Sequence, residues 1–195
     1  MNESIIVVSG LPRSGTSLMM KMLAAGGISL LTDGTRAADL DNPEGYYEFE
    51  LVKSLDKSAD SSWLASARGR AVKIISALLT YLPSQYQYQV IFMQRNLQEI
   101  LASQQKMLRH QNVQNEILPT SAQMEVVYTR HLRNINKWLE EQSNFEIMYV
   151  DYNHLVANKA DEPFEAISRF LRRPLNIRAM RAAIIPTLYR NRAYG

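Results

Sequence analysis

The string Gly10-Leu11-Pro12-Arg13-Ser14-Gly15-Thr16-Ser17 sets two glycines around an arginine and ends on two hydroxyl residues. Glycines so placed let a backbone turn tightly and approach a ligand. The N–H groups of residues 13 to 17 can then converge at a helix N-terminus, and the chemistry on offer is anion binding. The glycine spacing is that of a nucleoside-triphosphate loop, G-x-x-x-x-G-K-[ST], but Thr16 stands where such a loop carries its lysine. The cation is instead Arg13, and a guanidinium inside the loop can grip a phosphate or a bridging oxygen in fork geometry without a metal.

Further along are other groups capable of chemistry. Arg95 directly follows an apolar run and Ser103 lies eight residues beyond it. Taken singly, the first could form a surface ion pair and the second an exposed helix position. Asn42 to Glu50 is a dense patch of acids and aromatics in which Glu44 and Glu48 are possible general bases; each could equally be a solvated loop charge. Burial among Tyr46, Tyr47 and Phe49 would help a glutamate act as a base near neutral pH. His131 lies on an apolar helical stripe and reads as a packed, hydrogen-bonded residue, while His110 and His154 read as surface or cap residues. No His, Asp or Glu spacing points to a metal.

Pro12-Arg13-Ser14-Gly15-Thr16-Ser17 after a strand resembles the 5′-phosphosulfate loop of the sulfotransferase family, which binds 3′-phosphoadenosine 5′-phosphosulfate (PAPS) and commonly shows P-[KR]-[SG]-G-T-[ST] there. The resemblance implies that Arg13, Ser14, Gly15, Thr16 and Ser17 bind the donor, with Arg13 stabilising the leaving phosphate. It also implies that Arg95 and Ser103 grip the ribose 3′-phosphate, which separates PAPS from ATP. Arg190 and Arg192 loosely match the basic segment that returns over the nucleotide in this family, with a solvated basic tail as the alternative.

The expected activity is sulfuryl transfer from PAPS to a hydroxyl or amine of a small-molecule, carbohydrate or peptide acceptor. Cytosolic members carry K-[TS]-H on the strand before the 3′-phosphate arginine; here Lys73 matches the lysine and Ile75 fills the histidine slot. Carbohydrate and tyrosyl-protein sulfotransferases use a glutamate after the first helix, which makes Glu48 the first candidate base and Glu44 the second. Leu18 stands where many cytosolic members place an adenine-stacking tryptophan. Two rival readings are an ATP-dependent P-loop kinase and a non-catalytic PAP- or PAPS-binding protein.

These residues need elements to position them. Short apolar runs at 5–8, 71–75, 89–93 and 145–150 read as buried strands. Helices are expected directly after the loop and at 50–59, 96–109, 120–139, 163–171 and 177–184, with Asn96 as a cap and Thr120 with Gln123 as a capping box. Strands separated by helices imply an α/β P-loop fold, a parallel sheet with helices on both faces, as one domain over residues 1–195. Ligands in such sheets sit at the carboxyl ends of the strands.

The chain has 195 residues, 46% of them hydrophobic, enough to bury a core. Its net charge is +3 and its 22 basic residues are dispersed, which fits local anion sites and argues against nucleic acid as a partner. The absence of cysteine removes disulfides, thiolate metal sites and a cysteine nucleophile. With no basic n-region and no long apolar run, neither a signal peptide nor a membrane span is expected, and the chain reads as cytoplasmic.

Overall fold

The computed structural model describes residues 3–36, 39, 45–57, 60–110, 119–157 and 160–185. Its strands are β1 (Ile5–Gly10), β2 (Ala71–Lys73), β3 (Tyr88–Gln94) and β4 (Phe145–Asp151). Its α-helices are α1 (Thr16–Ala25), α2 (Leu97–His110), α3 (Ser121–Glu140), α4 (Tyr152–Ala157), α5 (Glu162–Leu171) and α6 (Ile177–Ala182).

Every residue of β1 is buried. Four β-branched residues in a row are stiff at χ1 and suit extended backbone, and an unbroken apolar run is what a strand covered on both faces requires. β1 lies between β2 and β3, and the order β2-β1-β3-β4 is parallel throughout. Successive β1 side chains point to opposite layers. Ile5 and Val7 join Val90, Phe92 and the Ile135 and Leu139 face of α3. Ile6 and Val8 join Met19, Met20 and Leu23 of α1, Phe164 and Ile167 of α5, and Met180 of α6. The sheet is thus covered on both faces, as the alternation of strands and helices implies.

Two helix starts follow from single side chains. The Asn96 carboxamide oxygen accepts from the amides of Gln98 at 2.9 Å and Glu99 at 3.4 Å, which fixes the entry of α2 directly after Arg95. Thr120 and Gln123 form the expected reciprocal capping box on α3. The helix expected at 50–59 is instead a 3-10 turn over Glu50–Ser54. There the Ser54 hydroxyl donates to the Leu51 carbonyl at 2.8 Å and competes with a longer helix, while Val52 and Leu55 still reach the core. β2 is shorter than the expected 71–75, although the Ile74 amide still donates to the Val8 carbonyl at 3.0 Å. The short α4, and 3-10 turns over Ser62–Ala67 and Ser76–Tyr81, carry no periodic signal.

Candidate donor-binding site

The turn from β1 into α1 depends on glycine at both ends. Gly10 has φ 141°, and a Cβ there would lie 2.5 Å from the Ser14 hydroxyl oxygen and 2.6 Å from the Met93 carbonyl oxygen. Gly15 has φ 102°, and a Cβ there would overlap the Tyr152 ring. Between them Arg13 has φ 72°, a left-handed conformation that costs a non-glycine residue about 1 kcal/mol or more. Two contacts hold it there: the Arg13 carbonyl accepts from Arg95 Nη1 at 3.2 Å, and Arg13 Nε donates to Ser103 Oγ at 2.9 Å.

The loop keeps unused hydrogen-bonding capacity. The Ser14 hydroxyl is buried and makes no hydrogen bond, and α1 begins without a side-chain cap. A buried orphan hydroxyl beside an uncapped helix N-terminus is the arrangement an anion would complete.

Arg95, just beyond the carboxyl end of β3, is held on three sides. Its Nε donates to Glu99 Oε2 at 2.9 Å, its Nη1 donates to the Arg13 carbonyl, and its guanidinium carbon lies 4.4 Å from the Tyr152 ring centroid. Asn153 donates through Nδ2 to the other Glu99 oxygen at 3.0 Å. The tip of β4 and the first turn of α2 therefore meet around one guanidinium.

A second charged corner forms at the end of β2. Lys73 is 8% exposed; its ammonium donates to the Tyr46 carbonyl and lies 3.4 Å from Glu48 Oε1 and 3.5 Å from Ser17 Oγ. Burial lowers its pKa from 10.5 to about 8, against the opposing pull of Glu48. Glu48 Oε1 also accepts from Arg36 Nη1 at 3.0 Å, while Oε2 is buried without a hydrogen bond and has Lys53 Nζ at 3.7 Å. The Arg36 guanidinium stacks 3.4 Å from the Tyr46 ring centroid, and the Tyr46 hydroxyl donates to Asp39. Glu48 is thus surrounded by three cations rather than enclosed by aromatics.

The structure places Arg13, Ser14 and Gly15 in the loop at the end of β1 and Thr16 and Ser17 in the first turn of α1. It joins Arg95 and Ser103 to that loop through Arg13, and brings Glu48 to its far side through Lys73. Glu44, Arg190 and Arg192 lie outside the described residues. His131 does pack as expected: its Nε2 is 2.8 Å from the Ser76 hydroxyl, and burial lowers its pKa. Leu18 packs against the layer formed by α1, α5 and α6. Sequence reasoning missed Tyr152, Asn153 and Glu99. Only the position of Glu99 one helical turn after Arg95 could have pointed to an ion pair. Among the described residues, no group of His, Asp or Glu could hold a metal ion, and no helix is long and apolar enough to cross a membrane.

The sequence matches the family model of the sulfotransferase domain over residues 3–189. The chain belongs to the sulfotransferase family. No curated protein matches it in sequence. Among solved structures, the crystal structure of sulfotransferase STF1 from Mycobacterium tuberculosis H37Rv is similar, with a TM-score of 0.62 at 15% identity, covering 94% of this chain and 71% of that one. The sulfotransferase domain from the curacin biosynthetic pathway is also similar, with a TM-score of 0.50 at 18% identity, covering 88% of this chain and 75% of that one. At these identities the likeness shows a shared fold. The family assignment rests on the sequence match.

Two stability measurements check this geometry. Gly15→Ala forces a Cβ into the Tyr152 ring at a left-handed φ, so denaturant unfolding should show a loss of about 2–4 kcal/mol; a loss under 0.5 kcal/mol would mean the loop is not packed as described. The second concerns Lys73. Below pH 8 folded and unfolded chains both hold its proton, and the cost of burying the charge is present in full. Between about 8 and 10.5 only the unfolded chain keeps that proton, so folding gains stability as pH rises. The stability of wild type relative to Lys73→Met should therefore climb by up to about 3 kcal/mol across this window. A flat difference would show that the ammonium is solvated.

Proposed function

We propose that this sulfotransferase-family chain acts as one domain that transfers a sulfuryl group from PAPS to a hydroxyl or amine of a small-molecule, carbohydrate or peptide acceptor. The observation that carries the reading is the bond from Arg13 to Ser103 beside Arg95, which joins the loop at the end of β1 to the Arg–Ser pair beyond β3. The orphan Ser14 hydroxyl and the uncapped start of α1 fit a bound phosphate.

PAPS supplies a sulfuryl group already attached to a phosphate that can leave. In this reading the amides of residues 15–17 and the Ser14 and Ser17 hydroxyls hold the 5′ end, the Ser14 amide being used by the Leu11 carbonyl at 3.1 Å, and Arg13 neutralises charge that grows on the leaving phosphate. Lys73, beside Ser17, adds a second cation from the neighbouring strand. Arg95 and Ser103 hold the 3′-phosphate, and Ser103 is shared between that role and its bond to Arg13. Glu48 is the proposed base: Arg36 and Lys73 fix Oε1, while Oε2 is left to take the proton of the acceptor hydroxyl. Glu44 is the second candidate. Arg190 and Arg192 are proposed to close over the nucleotide.

A 3′-phosphate held by a fixed guanidinium should make 3′-phosphoadenosine 5′-phosphate bind at least about tenfold more tightly than AMP, and Arg95→Ala should erase most of that preference while leaving AMP almost unaffected. Isothermal titration of both nucleotides measures this. Equal wild-type affinities, or stronger binding of Mg-ATP, would favour a kinase. Glu48→Gln should lower turnover by about 10² to 10⁴ with nucleotide affinity nearly intact, measured as sulfated product by mass spectrometry. Full activity in Glu48→Gln would remove it as the base.

A further inference from the structure

Glu99 holds Arg95 but has no role assigned in donor binding. Its side chain is 2% exposed and that of Arg95 is 8% exposed, so the pair sits in a medium that screens little. A carboxylate in this place is a paradox for anion binding, since it opposes the charge of any phosphate that Arg95 would hold. A buried acid that weakens the local field has two possible uses: to balance the buried guanidinium or to fix its geometry.

Both Glu99 oxygens are committed to donors from different elements: Oε2 to Arg95 Nε at 2.9 Å and Oε1 to Asn153 Nδ2 at 3.0 Å. The first donor follows β3 and the second follows β4. With its edge on Glu99, one end on the Arg13 carbonyl and its face on Tyr152, the Arg95 guanidinium has a defined plane. Arginine has several rotatable bonds and loses much freedom when bound, so fixing that plane before a ligand arrives reduces the entropic cost of a bidentate contact.

We infer that Glu99 is the positioning residue for the 3′-phosphate contact, with Asn153 steering its carboxylate, so that selectivity for a 3′-phosphorylated nucleotide depends on this pair as well as on Arg95 and Ser103. The inference rests on the donor reading above. It also separates two roles by sign. If Glu99 only balances charge, replacing it with glutamine leaves Arg95 more positive and raises the preference for a 3′-phosphate. If it positions Arg95, the preference falls, because an amide has one acceptor oxygen for two donors where the carboxylate has two.

The test is titration of 3′-phosphoadenosine 5′-phosphate and AMP against wild type, Glu99→Gln and Asn153→Ala, with thermal melting of each. Glu99→Gln should lose about tenfold of the preference for the bisphosphate and Asn153→Ala about threefold, with AMP affinity within about twofold of wild type in both. A preference that is unchanged or larger in Glu99→Gln, with or without a lower melting temperature, overturns the inference. If Glu99→Gln does not fold, Asn153→Ala decides, since it keeps the carboxylate and removes only its steering; an unchanged preference there overturns the inference. A wild type without any preference fails at the donor reading itself, which is a different result from a wild-type preference that survives both substitutions.

Discussion

The left-handed backbone at Arg13 is the constraint around which the rest of the site is arranged. Such a conformation persists in a non-glycine residue only where its surroundings over-determine it. Here they do so from the chain that follows β3: Arg95 holds the carbonyl and Ser103, in α2, the side chain. Those two residues reach Arg13 because β1 and β3 are neighbours with Gly10 opposite Met93, so that the chain leaving β3 passes directly beside the loop. The shape of the loop therefore follows from the strand order as much as from its own glycines. Tyr47, beside Glu48, is another non-glycine residue with positive φ, at 51°.

The buried cations of the site each have a carboxylate partner. Arg95 is paired with Glu99, and Lys73 with Glu48, which Arg36 and Lys53 also approach. Burying any of these ions alone would cost several kcal/mol. Arg95 keeps full pairing, whereas Lys73 retains enough desolvation to bring its proton affinity down toward the neutral range. The two ends of the site thus differ in character, one a rigid guanidinium held within a network, the other an ammonium whose charge depends on what lies near it.

Much of this was legible in the sequence. The β-branched run before Gly10 and the glycine spacing around Arg13 announce strand and loop because each signal is local. The capping box at Thr120 and the cap at Asn96 were legible for the same reason. Tyr152 and Asn153 were not, since their importance comes from Gly15 and Glu99, which are far away in the chain and adjacent only after folding. The cation cluster around Glu48 draws on residues 36, 53 and 73 from three separate segments. The expected helix after Glu50 stops after one 3-10 turn even though Val52 and Leu55 reach the core, because the Ser54 hydroxyl takes the Leu51 carbonyl.

The parallel topology also shapes how the molecule comes to exist. Each pairing in the sheet joins distant segments, Ile6 with Ala71, Ile5 with Tyr88 and Tyr88 with Phe145, and among the described residues no hairpin offers a cheap local start. Loop-closure entropy must be met before these contacts return anything, so assembly is slow compared with a helical bundle of equal length. The Arg13–Ser103 bond spans 90 residues and can form only after β1 and β3 have zipped together. The contact that fixes the left-handed loop is accordingly among the last features to appear, so stabilising it slows unfolding more than it speeds folding.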